Sequence, residues 1–275
     1  MAQHIGDFIA RKRKELGYTQ QKLANELNIS FQAVSKWENG TTFPDIHMLA
    51  QLASSLHTTV DAIVGYSPSP QTQYEDKYST AQYYWGISPN KLCYEIMKLR
   101  PPVQPLRVLD IGCGEGRDAV FLARNGYAVT GFDLATAGIE KARELAQVNR
   151  VDAEFFRADV NDYQPQTDYD IVFSSGVLHY IAREKRKALF DSLKEHTAPS
   201  GIHVLNVFVS KPFISMPPDS EDAECRADPW YSGELAYYYH DWRIHQIDEI
   251  IFDCSSGGIA HQHCMNVLIA EKPIL

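Results

Sequence analysis

The sequence predicts a chain in two parts, a small all-α domain followed by an α/β domain built on a mostly parallel sheet. Three observations predict it. Short helical periods with polar caps fill the first 66 residues, and strands alternate with helices from Arg107 onward. Between them lies Ser67-Pro-Ser-Pro-Gln-Thr-Gln73, a polar, proline-bearing stretch free of aliphatic residues. The expected division is therefore a domain at 1–66, a linker at 67–73 and a second domain at 74–275.

Composition narrows the setting. Hydrophobic residues make up 44% of the chain, a globular proportion, and no apolar run reaches the roughly eighteen residues that a bilayer span needs, so no membrane partner is expected. Charges occupy Met1 to Gly17, where a signal peptide would be apolar, and the five cysteines (Cys93, Cys113, Cys225, Cys254, Cys264) form no Cys-x-x-Cys pair. A reducing cytoplasm is the expected location. The formal charge of -9 falls wholly outside the first 66 residues, where Arg11, Lys12, Arg13, Lys14, Lys22 and Lys36 balance Asp7, Glu15, Glu26, Glu38, Asp45 and Asp61. A nucleic acid partner would thus meet the N-terminal part.

In that part, Ile5, Phe8, Ile9 and Leu16 recur at helical spacing until Gly17. Thr19 is placed to cap a second helix through Leu27, Ser30 a third to about Asn39, and Asp45 a fourth with Ile46, Leu49, Leu52, Ala53 and Leu56 inward. Val60 to Val64 makes a short fifth. The stretches Gly17-Tyr-Thr-Gln-Gln-Lys-Leu-Ala24, Val34-Ser-Lys-Trp-Glu-Asn-Gly40, Pro44 and Leu49-Ala-Gln-Leu-Ala53 resemble the Xre, or phage-repressor, type of helix-turn-helix. The resemblance implies an operator in double-stranded DNA as partner, a dimer on a two-fold site, and a third helix in the major groove. Phe31, Gln32 and Lys36 would then face base edges while Gln20 and Asn39 meet phosphates, with Val34 and Trp37 in the core. The neutral net charge leaves a second reading open, in which the domain only mediates dimerisation.

After the linker come Tyr74, Tyr78, Tyr83, Tyr84 and Trp85, rings that either pack as an arm on the second domain or cover a bound molecule. Asn90 to Arg100 reads as a helix with Leu92, Ile96 and Leu99 inward. Strands follow at 107–111, 127–133, 153–158, 169–174 and 201–209, with helices at 118–125, 136–149 and 183–196. In such a sheet the ligand lies beyond the carboxyl ends of the strands, where the crossover changes direction. There stand Asp110 with Gly112, Gly114 and Gly116, then Asp133 at the second strand end, suited to a ribose, and Asp159 after the third. A dinucleotide oxidoreductase would share the first glycines and the ribose acid, but its third glycine normally lies inside the helix.

The pattern Leu109-Asp-Ile-Gly-Cys-Gly-Glu-Gly116, Gly131-Phe-Asp133, Ala158-Asp159 and Tyr169-Asp-Ile-Val-Phe-Ser-Ser175 instead resembles class I S-adenosylmethionine-dependent methyltransferases, over about residues 105–272. Tyr84-Trp-Gly-Ile-Ser-Pro89, Gly114-Glu-Gly-Arg117 and Gly233-Glu-Leu-Ala-Tyr-Tyr-Tyr-His-Asp-Trp242 are similar to the tellurite-resistance, TehB-type members. The resemblance implies a Rossmann-like sheet of seven strands whose antiparallel terminal hairpin is formed by Arg243–Asp253 and His263–Glu271. It also implies S-adenosyl-L-methionine as cofactor, with Asp110, Gly112, Cys113 and Gly114 at the methionine end. Asp133 and Leu134 would meet the ribose, and Ala158, Asp159 and Val160 the adenine. Ser174 and Ser175 would border the sulfonium.

The implied acceptor is a small molecule, such as a metalloid oxyanion or a thiol, met by Tyr84, Trp85, Arg117, His261 and His263. An oxygen or nitrogen acceptor would need a base, for which His179 is best placed, although it can equally cap or pack on the next helix. His261-Gln-His-Cys264, with His240 and Cys254 nearby in sequence, has the donors to bind a metal or a soft metalloid oxyanion, or simply to meet solvent; it is read as substrate contact, with no metal assigned. The loop from Lys211 to Ser232, carrying Arg226 and Trp230, is expected to be a specificity lid. A regulator that senses S-adenosylmethionine without turnover is the alternative function. DNA methylation is disfavoured because Ser174-Ser-Gly-Val replaces the Asn-Pro-Pro-aromatic signature.

Overall fold

Each polar cap expected in the first sixty residues forms. Thr19 Oγ1 accepts the Lys22 N–H at 3.1 Å, Ser30 Oγ that of Ala33 at 3.3 Å, and Asp45 Oδ1 that of His47 at 2.9 Å. The first two open α2 (Gln20–Glu26) and α3 (Phe31–Glu38), which follow α1 (Ala2–Glu15). The third caps a 3₁₀ turn, Ile46–Met48, that leads into α4 (Leu49–Ser55), before α5 (Val60–Val64). That turn corrects one expectation: Ile46 points outward and is 75% exposed, because it precedes the helix whose period would have buried it. Ile9, Leu23, Val34, Trp37, Leu52 and Ile63 form the core.

These helices belong to one of two compact units, Met1–Ser69 and Pro70–Leu275. The structure, a computed structural model, describes residues 2–64, 72–214, 228–254 and 260–274. Most of the expected linker and Arg226 lie outside the described residues.

The second unit opens with α6 (Tyr74–Tyr78) and α7 (Lys91–Leu99), then alternates β1 (Arg107–Ile111), α8 (Arg117–Arg124), β2 (Ala128–Asp133), α9 (Thr136–Asn149) and β3 (Ala153–Arg157). It continues with β4 (Tyr169–Ser174), α10 (Arg183–Glu195), β5 (Thr197–Val209), α11 (Glu234–Tyr237), β6 (Arg243–Cys254) and β7 (His261–Glu271). The described strands form one seven-stranded sheet in the order β3-β2-β1-β4-β5-β7-β6, parallel except where β7 runs against both β5 and β6. Alternate residues feed opposite faces, as the two-residue period of a strand requires. Val108, Val129 and Ile171 pack under α7, α8 and α9, while Leu109, Val172 and Leu205 pack under α10 and α11. Between β1 and β4 the order reverses, and the crevice opens there.

The late tyrosine-rich stretch and the expected lid prove to be core in part. Trp230 is 1% exposed and its indole N–H donates to the Leu178 carbonyl at 3.1 Å, so it holds the fold rather than covering a ligand. Its ring lies 4.2 Å from the guanidinium of buried Arg186, which Glu234 pairs at 2.7 Å. Tyr239 meets the ring of His203 at 2.6 Å, and Thr197 takes that ring's other nitrogen at 2.8 Å.

Candidate active site

The turn after β1 is made possible by glycine. Gly112, Gly114 and Gly116 have φ of +71°, +52° and +82°, the left-handed region that L side chains resist. Two of them are also closely packed: a Cβ on Gly112 would lie 2.5 Å from Val177, and one on Gly116 2.6 Å from Ala142 of α9. The amides of Gly112 and Cys113 both donate to the Phe132 carbonyl at 2.9 Å, which clamps the turn to β2. Its backbone is thereby held at the mouth of a cleft of about 530 Å³, a volume suited to a small-molecule site.

Four aspartates gather around this turn. Asp110 is 2% exposed and lines the cleft, and its Oδ2 has no hydrogen-bond partner. Burial pushes its pKa well above the usual carboxylate range, with Asp118 and Asp133 adding to the effect and Arg117 opposing it. Asp133 accepts the Gly114 N–H at 2.9 Å and the Ala135 N–H at 2.8 Å; burial raises its pKa and these amides partly offset the rise. Asp118, at the start of α8, accepts the Asn90 N–H at 2.6 Å and pairs with Arg117 at 3.2 Å. Asp159 lines the same cleft and accepts from the backbone and side chain of Asn161 at 2.8 and 3.1 Å.

The aromatic arm is pinned over this end by two glutamates. Glu75 of α6 accepts the Thr136 and Ala137 N–H groups at 2.7 and 3.0 Å, and so caps the start of α9. Glu115 is 4% exposed, accepts the Tyr84 N–H at 2.7 Å and pairs with Lys141 at 2.7 Å. Tyr78 is buried against Gly114 and Gly138, while Tyr74 and Trp85 line the cleft. The arm therefore packs on the second domain, and three of its rings, Tyr74, Tyr78 and Trp85, face the cleft.

Across the crevice the wall comes from β4, β5, β6 and β7. Ser175 accepts from Asn90 at 2.9 Å and Asn206 at 3.0 Å, and Asn206 accepts the Gly176 N–H at 2.8 Å. Beyond them stand Phe208, Phe252, Cys254, His263 and Met265. The Phe208 ring stacks on His263 at 4.7 Å and meets His179 at 4.9 Å.

A methyltransferase-domain family model matches residues 108–201, the span that holds the glycine turn and the acids. The chain carries a methyltransferase domain. A helix-turn-helix family model matches residues 9–63. A probable S-adenosyl-L-methionine-dependent methyltransferase, TehB of Haemophilus influenzae, is 24% identical over 206 residues, covering 74% of this chain and 64% of that protein. A ubiquinone biosynthesis O-methyltransferase of Rickettsia canadensis is 29% identical over 123 residues, covering 44% of this chain and 51% of its own. The chain thus spans about half to just under two thirds of these relatives. The crystal structure of TehB from Haemophilus influenzae superposes with a TM-score of 0.58 at 23% identity, over 72% of this chain and 65% of that one, a likeness of fold.

Within the methyltransferase domain, the cleft brings together Asp110, Gly112, Cys113, Gly114, Asp133, Leu134, Ala158, Asp159, Val160 and Ser175 with Trp85, Arg117 and His263. Four expected residues do not line it. Ser174 lies inside the sheet, its Oγ donating to the Ile111 carbonyl at 3.1 Å. Tyr84 contributes its backbone to Glu115, and His261 stands behind His263, their Nε2 atoms 2.8 Å apart. His179 is 5% exposed, and burial lowers its pKa to about 3, with His263 adding to the effect. Both of its ring nitrogens lack a hydrogen-bond partner, so a neutral imidazole sits beside the cleft rather than in it. Cys264, grouped with the histidines by sequence, faces the opposite side of the sheet in the core, and Cys254 takes its place.

Glu115, Asn90, Asn206 and Phe208 were not anticipated. Glu115 alone had a local signal, an acid inside the glycine turn. In the helix-turn-helix domain Phe31, Gln32, Lys36 and Asn39 are exposed, whereas Gln20 donates to Glu38 at 2.8 Å beside the buried Arg13–Glu38 pair. No helix among the described residues is long and apolar enough to cross a membrane.

Proposed function

We propose that this chain is an S-adenosylmethionine-dependent methyltransferase of a small molecule with a soft nucleophile, a thiol or a metalloid oxyanion. We propose further that its helix-turn-helix domain binds a two-fold operator in double-stranded DNA as a dimer, in the cytoplasm. The observation that carries the enzymatic reading is the Asp110 carboxyl: buried, facing the cleft, with one oxygen lacking any partner. A polar atom in that state is costly unless a ligand meets it, and the methionyl ammonium is a donor of the right charge. Asp133, with two backbone amides already satisfied, keeps lone pairs for the ribose hydroxyls. The name of the Haemophilus influenzae relative supports the same cofactor.

When bound, that cofactor supplies an electrophilic methyl carbon and a neutral thioether leaving group, so the protein needs no general acid. Its residues would do three things. Asp110 and Asp133 orient the two ends, Tyr74, Tyr78 and Trp85 keep water from the crevice, and the wall of Phe208, Met265 and His263 confines the acceptor. Strand order favours that wall as the acceptor side, since Asp133 and Asp159 follow β2 and β3 on the other. An acceptor already anionic at neutral pH suits a cleft that His179 does not enter.

Calorimetric titration of the full chain with S-adenosylmethionine tests the cofactor. Binding should be stoichiometric, and an ammonium beside Asp110 should draw down the carboxyl pKa that burial has raised. Absence of binding would sink the proposal. A screen of thiols, selenite, tellurite and arsenite for S-adenosylhomocysteine release then tests turnover. Binding without release by any acceptor, together with operator affinity that changes with the cofactor, would make the chain a sensor instead.

A further inference from the structure

We infer that Cys254, His261 and His263 form a site for a thiophilic divalent cation, with zinc(II) the ion that fits best, in the acceptor wall of the cleft. The hairpin register builds it. Cys254 lies directly opposite His261 and Phe252 opposite His263, and strand alternation sets these side chains on one sheet face. One sulfur and two imidazoles thereby converge, with a donor atom of each within 4.8 Å of the others.

The distances are close to those of a metal site before the ion enters. A tetrahedral zinc ion, with bonds of about 2.0–2.1 Å to nitrogen and about 2.3 Å to sulfur, holds its nitrogens roughly 3.3 Å apart and its sulfur about 3.5 Å from each. The two Nε2 atoms stand 2.8 Å apart, so one ring must donate a proton to the other. Exchanging that proton for an ion requires the rings to part by about half an ångström, and the donors that stand up to 4.8 Å apart to close by about an ångström, both side-chain movements. Both histidines are nearly buried, at 9% and 5% exposed, and Phe208 stacks on His263, so the rings are already oriented. The donor set of thiolate and imidazole selects zinc over magnesium or calcium, which take oxygen.

Three protein donors leave a tetrahedral ion one free position, the arrangement of catalytic rather than structural zinc. Cys254 and His263 both line the cleft, so that position opens where the acceptor would lie. Its use, though not the site itself, rests on the methyl-transfer reading. An acceptor thiol would release its proton to solvent on binding the ion. Its sulfur then forms a bond to the methyl carbon as the sulfonium S–C bond breaks, leaving a thioether on each side and the ion unchanged.

Cobalt(II) is the probe, added to the full chain after chelation and dialysis. The expected result is one equivalent bound, with intense visible bands of a tetrahedral ion and a thiolate charge-transfer band in the near ultraviolet, all abolished by zinc. Cys254→Ser should remove the near-ultraviolet band, and His261→Gln or His263→Ala should weaken zinc by at least about 100-fold, since even outer contacts are worth 10–100-fold. A small thiol should shift the visible bands by taking the free position. A wild-type protein without tetrahedral bands, the same spectrum in Cys254→Ser and His263→Ala, or bands indifferent to thiol would overturn the inference. Circular dichroism and S-adenosylmethionine titration of each variant separate misfolding, and failure of the methyl-transfer reading, from failure of the metal site.

Discussion

The carboxylate of Asp133 accepts the backbone N–H of Gly114 at 2.9 Å, so the residue proposed to hold a ribose also fixes the turn that carries the rest of the pocket. Replacing it removes both effects. Asp133→Ala should lower S-adenosylmethionine affinity by about 10–100-fold, the worth of one or two hydrogen bonds to a charged group. Asp133→Asn, which keeps one acceptor oxygen for the turn, should fall between. Calorimetry reads both, and unchanged affinity in the alanine variant would remove Asp133 from the site.

Glu115 joins the arm to α9 by accepting from Tyr84 and pairing with Lys141 while only 4% exposed. Glu115→Gln should loosen the arm locally by about 1.5–3 kcal/mol, the value of a charge-assisted hydrogen bond. Amide exchange should accelerate at residues 74–90 and stay unchanged in β1 and β4. Uniform acceleration through the whole domain would show that Glu115 supports the fold at large.

On α3, Gln32 and Lys36 are exposed while Val34 and Trp37 are buried, the division a recognition helix requires. With an operator found by selection, Gln32→Ala should cost about 1–3 kcal/mol and relax sequence preference. Lys36→Ala should reduce the salt slope by about 1 if it meets phosphate, or relax preference if it meets guanine. Equal affinity and preference in both variants would reject this face. Gln20→Ala should instead lower stability, since its amide supports the Arg13–Glu38 pair.

His179 and His203 are both buried, and burial lowers each pKa to about 3. The unfolded chain takes up these protons near pH 6.5 and the folded chain does not, so stability is fully present above that pH. It is lost as pH falls toward 3, by up to about 1.4 kcal/mol per unit for each group. Asp110 and Asp133 act oppositely: their raised pKa values contribute stability at low pH that is lost as pH rises through the raised values. Urea unfolding between pH 5 and 7 should show stability rising with pH in Asp110→Asn, and more steeply there than in the wild type. A flat profile in both proteins would contradict the burial of the two histidines.

Much of this molecule was legible in its chain because the causes are local. Thr19, Ser30 and Asp45 cap the segments that follow them, since a side-chain oxygen there meets amides two or three residues away. Gly112 and Gly116 mark the turn because a Cβ would clash there, and Asp110 and Asp133 end strands whose apolar runs announce them. The side of the cleft proposed for the cofactor follows from those features and the order of strands. The opposite wall does not. Cys254 rather than Cys264 joins His261 and His263, because hairpin register chooses the partner and a strand turns neighbouring side chains to opposite faces. Trp230, Tyr239 and His203 sank into the core for a similar reason: burial depends on which distant surfaces meet. The sequence by itself determined the two domains, the glycine turn and the acids at the strand ends. Only the tertiary structure decided what faces them across the cleft, because contacts between β5, β6 and β7 join residues far apart in the chain.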